Sequence, residues 1–176
     1  MDIENKIKQT SIRGRFTFGV CCIEQYTSEK NIENKWITKL FNVLWKFTET
    51  NRIDIWQEKI SFLTPLNILD KHPDNLYSDY PDLTEVEFKE LKEYYAKLDK
   101  EFISLIDETI EVALGNLYTD TGNFSITTFE STIFIYNLAN KVLKDCPNFD
   151  LFSKSKFTEQ NGWGNKCTRE FFSKDQ

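Results

Sequence analysis

Residues Glu33 to Glu49 read E-N-K-W-I-T-K-L-F-N-V-L-W-K-F-T-E. Trp36, Ile37, Leu40, Phe41, Leu44 and Phe47 recur at steps of three and four, which places them on one stripe of a helix. A stripe of that size has to be buried against other elements, so this segment points to helix-on-helix packing. Upstream, Ser11 to Thr27 carries Ile12, Phe16, Gly19, Val20 and Ile23 at the same steps and reads as a helix with one apolar face. Gly14 and Gly19 each lower helix propensity by about 1 kcal/mol relative to Ala. Close helix packing is therefore expected at Gly19.

Downstream, a shorter helix is expected from Ile53 to Phe62, ending before Pro65, because the residue ahead of a proline is pushed out of helical dihedrals. Pro65, Pro73 and Pro81 bracket a turn-rich connection, Thr64 to Asp82, containing His72-Pro73-Asp74-Asn75 and Asp79-Tyr80-Pro81-Asp82. A connection of this length is functional or mobile, and it is the first candidate for partner contact. Thr84 with Glu87 fits a capping box. From Val86 the helical period continues through Leu91, Tyr95, Leu98, Phe102, Leu105, Ile106 and Ile110 to about Leu117, as one long helix or as two with a bend near Asp99. After the turn at Asp120-Thr121-Gly122-Asn123, Thr127 and Glu130 repeat the capping pattern, and Phe129, Ile133, Tyr136, Ala139, Val142 and Leu143 extend it to the stop at Pro147.

The last residues, Asn148 to Gln176, lose the period. They carry Asn161-Gly162-Trp163-Gly164-Asn165 and five phenylalanines, Phe149, Phe152, Phe157, Phe171 and Phe172, which are expected to fold back onto the helices. Neither an internal repeat nor a pair of alternating strands is visible. The expected architecture is all-α: a single domain over residues 1–176, a bundle of about five or six helices with a long loop at 64–83 and an irregular aromatic tail at 148–176.

The formal net charge of -6 conceals an uneven distribution. Asp70 to Glu111 holds 13 acidic and 5 basic side chains, a balance of -8, against +2 for residues 1–69 and 0 for residues 112–176. That segregation points to a cationic partner and disfavours nucleic acid, whose phosphates require clustered Lys and Arg. Arg13 and Arg15 are a local exception, expected to pair with the acidic surface. Met1 to Gln9 has no apolar core of a secretory signal, and no stretch approaches 18 uninterrupted apolar residues, so neither export nor a membrane span is expected.

Catalytic and metal motifs find no support. His72 is the single histidine, beside a proline in a turn, and reads as an exposed loop residue. Cys21, Cys22, Cys146 and Cys167 lack paired C-x2-C spacing and read as reduced thiols, with Cys21 or Cys22 in the core; a Cys146 to Cys167 bridge would need an oxidising compartment. Carboxylates at helical spacing, Glu87 with Glu90 and Asp107 or Glu108 with Glu111, read as a solvated acidic face, since no Glu-x-x-His motif accompanies them. No nucleophile elbow, Walker loop or dinucleotide fingerprint occurs. No metal or cofactor is expected.

The run Ile12-Arg13-Gly14-Arg15-Phe16-Thr17-Phe18-Gly19-Val20-Cys21-Cys22-Ile23-Glu24, with the tail Gly162-Trp163-Gly164, resembles small helical immunity proteins of bacterial polymorphic-toxin systems, contact-dependent or type VI. The resemblance covers about 20 of the 176 residues. It implies a cytoplasmic monomer or homodimer that binds and blocks a cognate toxin domain without chemistry of its own, and it transfers no site residue. The acidic segment suits a cationic toxin cleft, with Asp74, Asp79, Asp82, Glu85, Glu87 and Glu90 as the charged surface and Tyr77, Tyr80 or Trp163 as the apolar anchor. Two rival readings are a small helical enzyme using Arg13, Arg15 and His72, and a self-associating scaffold whose aromatic stripes meet across an interface.

Overall fold

The computed structural model describes residues 2–70 and 83–172. Ser11 opens the longest helix by accepting a bond from the Gly14 N–H at 3.1 Å, and Asn31, in the left-handed region at φ 52°, closes it. This helix is α2, Ile12–Lys30; α1, Ile3–Gln9, precedes it. α3, Lys35–Glu49, is capped by Asn34 and buries Trp36, Ile37, Leu40, Leu44 and Phe47, the stripe read from its period. α4, Ile53–Ser61, lies against α3, tied by the Trp56 indole N–H to the Val43 carbonyl at 2.7 Å. α5 is Pro65–Asp70, α6 Glu85–Tyr95, α7 Lys100–Leu114 and α8 Ile126–Val142.

Among the described residues there are thus eight α-helices, more than the five or six expected, and the all-α class holds. The additions are short. α1 is only seven residues long, with Ile7 its one buried residue, too little for a period to show. α5 begins at Pro65 itself. Proline both stops α4, by restricting Thr64, and suits the first position of the next helix, where its missing N–H is not needed. The connection read as irregular from Thr64 therefore starts as a helix, and its remainder, 71–82, lies outside the described residues. The long period from Val86 resolves into two helices, with Asp99 as N-cap of the second. α8 starts two residues earlier than its capping pattern suggested: Ser125, not Thr127, is the cap, with its Oγ accepting from Thr128 N–H.

α2 departs most from its reading. Instead of one apolar face it is buried nearly all round, from Ile12 to Val20 without a break, because α3, α7, α8 and the tail all pack on it. Gly19 makes the closest approach: a Cβ there would stand 2.9 Å from Thr109 Cγ2 on α7. The tail is docked in three 3-10 turns, Phe149–Lys154, Gln160–Gly162 and Arg169–Phe172. Phe149 and Phe152 set their rings 4.9 and 5.5 Å from Phe18 of α2, and Phe172 stacks on Phe152. Ser11 and Phe157 donate backbone bonds to Ser155 and Gln9, holding the tail to the α1–α2 junction.

Arg13 and Arg15 do not pair with the acidic surface. They are 3% and 0% exposed, on the first turn of α2, and neither forms an ion pair among the described residues. Arg15 donates to the carbonyls of Ile7, Lys8, Phe124 and Ser125 and to Thr128 Oγ1, joining the end of α1 to the entry of α8. Burial lowers its pKa to about 9, still cationic at neutral pH. Neutral carbonyls take the place of the counter-charge, those of Ile7 and Ser125 accepting from Arg15 in addition to a backbone N–H.

Candidate functional site

The expected contact residues divide into three groups. Asp74, Tyr77, Asp79, Tyr80 and Asp82, and His72 with them, lie outside the described residues. Glu85, Glu87 and Glu90 lie on α6, and each already has a partner. Glu87 closes the capping box: Thr84 N–H and Oγ1 both donate to its Oε2 at 2.9 Å, which lowers its pKa. Glu85 pairs with Lys89 one turn on at 2.6 Å, and Glu90 pairs with Lys35 of α3. Trp163 is half-buried, its ring centroid 6.5 Å from that of Phe47, so it belongs largely to the tail's docking.

The carboxylates without such partners lie further along, on α5, at the end of α6 and on α7. Among the described residues no ion pair neutralises Asp70, Glu93, Glu101, Asp107, Glu108 or Glu111. α5 packs on both α6 and α7, and the Leu66 N–H donates to Asp107 Oδ1 at 3.1 Å. That bond places Asp107 beside the α5 terminus. Burial raises the Asp107 pKa to about 6 against this hydrogen bond, with Glu108 and Asp70 adding repulsion. Glu111, one turn on, is also raised by desolvation and by Glu108. Like charges held together in this way favour an approaching cation.

Exposed apolar side chains occur beside Asp107, at Leu66, and in the turn after α7, at Tyr118. Leu66 is 57% exposed and Tyr118, in the turn after α7, is 84% exposed, with its hydroxyl donating to Gln57 Oε1 of α4 at 3.1 Å. A ring that is fixed at its tip and bare on its faces has the mixed character of an interface anchor. Asp107 and Glu111 were read from sequence as an ordinary acidic face, and Tyr118 was not singled out. Its one signal is position: it follows the last periodic residue, Leu117, and precedes a polar turn.

No group of three or more His, Cys, Asp or Glu able to hold a metal occurs among the described residues. All four cysteines are free; Cys22 is buried, Cys21 partly so, with burial pushing its pKa up to about 12. No described helix is long and apolar enough to cross a membrane. Comparison with family models, curated proteins and solved structures found no match for this chain.

Proposed function

We propose that this chain is a non-catalytic cytoplasmic protein that binds and neutralises a cognate bacterial toxin domain through its acidic face. The observation that carries the reading is that Asp70, Glu93, Glu101, Asp107, Glu108 and Glu111 have no ion-pair partner among the described residues, with the exposed Leu66 bonded to Asp107. A cationic cleft would meet charge that is already repelling itself, and the exposed ring would supply a desolvated anchor. Asp74, Asp79 and Asp82, with Tyr77 and Tyr80, belong to residues 71–82 of the same acidic stretch of sequence, outside the described residues.

The test is co-expression with a toxin domain encoded beside this chain's gene, followed by titration of the purified pair. Growth is expected to be restored, and affinity is expected to fall steeply between low and high salt. The triple reversal Glu93→Lys, Glu101→Lys, Glu111→Lys should fold normally and lose protection. Salt-insensitive binding, or full protection by the triple variant, defeats the acidic-face reading.

A further inference from the structure

Arg13 and Arg15 stand two residues apart, are equally buried, and are satisfied very differently. A guanidinium has five N–H donors. Arg15 places them on five acceptors of the chain. Arg13 makes two bonds, Nη1 to the Gly164 carbonyl at 2.8 Å and Nη2 to the Thr50 carbonyl at 2.6 Å. Its Nε is buried with no partner, and among the described residues no carboxylate pairs with it. Nothing in the packing of α2 forces this difference, since the neighbouring arginine finds a full set.

Arg13 forms part of the wall of a surface cavity of about 320 Å³, lined also by Asn51, Ile53, Gln160, Trp163 and Lys166. The lining holds two cations and no acidic side chain. Lys166 and Asn51 are exposed and make no side-chain bond to the rest of the described chain. Gly164, at φ +80°, takes the backbone conformation that brings its carbonyl onto Arg13, so the cavity edge is built by the same Gly162-Trp163-Gly164 turn that docks the tail. The carboxylates closest in sequence to the lining are committed elsewhere: Asp54 pairs with Arg52, Glu49 pairs with Lys46, and Glu159 accepts from the Lys156 and Asn165 backbone.

We propose that this cavity is a binding site for a small organic oxyanion, a carboxylate or phosphate, held between Arg13 and Lys166 with the Asn51 amide as a third donor. Trp163 and Ile53 give it an apolar wall, and the volume admits a multi-atom anion. The anion supplies a negative charge beside a guanidinium that, unlike that of Arg15, finds only two acceptors among the described residues. The site is independent of the carboxylate face on α7.

The full chain is titrated with citrate and, separately, with inorganic phosphate, against sodium chloride at matched ionic strength, following melting temperature and tryptophan fluorescence. At least one anion is expected to raise the melting temperature saturably, with half-saturation below about 1 mM. Lys166→Ala and Asn51→Ala, both at exposed positions, should fold as the parent; loss of the Lys166 ammonium is expected to weaken binding about 10-fold. Arg13→Lys keeps the charge without the fork and should weaken it further. No shift beyond the chloride control for either anion, or an unchanged shift in both Lys166→Ala and Asn51→Ala, overturns the site whether or not the Arg13 variant folds.

Discussion

Arg15, on the first turn of α2, is fully buried and gives every one of its N–H groups to a neutral oxygen of the chain. Asp107, on α7, is only partly buried, takes one backbone N–H, and faces further carboxylates. Both are charges desolvated by the fold, yet the first is a structural clamp and the second is left unfulfilled. Burial alone therefore does not decide whether a charge serves the fold or a partner. What decides is whether the chain supplies the complementary groups.

This contrast can be broken most sharply at Arg15. Replacing Arg15 by Met removes five hydrogen bonds and leaves the Lys8 and Phe124 carbonyls without their donor, and urea unfolding should show a loss of about 3 kcal/mol or more. A loss under about 1 kcal/mol would mean that the clamp is redundant. Gly19→Ala probes the packing on the same helix: the new Cβ meets Thr109 across α2 and α7, and a destabilisation of about 1 to 3 kcal/mol is expected in the same assay.

Asp107→Asn should act in the opposite direction. The folded-state pKa, about 6, lies above the ordinary 3.8, so protonation favours the fold. The stability from this proton is fully present below about pH 4 and is lost as pH rises through about 6. The Asn variant should be more stable than the parent by about 1 kcal/mol at pH 7.5, with the gain vanishing towards pH 4, and should accept the Leu66 N–H as before. An equal or lower stability at pH 7.5 would show that Asp107 is not strained by its neighbours. The smallest effect on folding is expected from Glu93→Gln with Glu101→Gln: an unchanged urea midpoint, with a measurable loss only in affinity for a cationic partner. A shifted midpoint would assign these carboxylates to the fold.

Legibility followed the distribution of surroundings. α3 is half-solvated, so its period survived in the sequence and its buried stripe was read correctly except for Phe41, which is only partly buried. α2 is enclosed on nearly all sides, so Ser11, Arg13, Arg15 and Thr17 share the interior with Ile12 and Phe16, and the one apolar face read from its period is only part of what is buried. The capping box at Thr84 was legible because it is local: two residues three positions apart satisfy each other's backbone N–H. Arg13 and Arg15 were misread because their acceptors, Gly164, Thr50, Phe124 and Ser125, lie from 37 to 151 residues away. Of the face proposed for binding, the charge imbalance was visible in the sequence; the committed state of Glu85, Glu87 and Glu90 and the exposure of Tyr118 were not.

By itself, then, the sequence determined the helical class, the positions of α3, α4 and α6, the aromatic core and the acidic middle segment. These depend on interactions spanning a few residues or on composition. The tertiary structure alone decided that two arginines go inside, that the tail closes over Phe18, and which carboxylates remain without partners. Those outcomes depend on where distant backbone carbonyls and side chains meet, and a hydrogen bond or an ion pair is set by distance in space rather than by spacing along the chain.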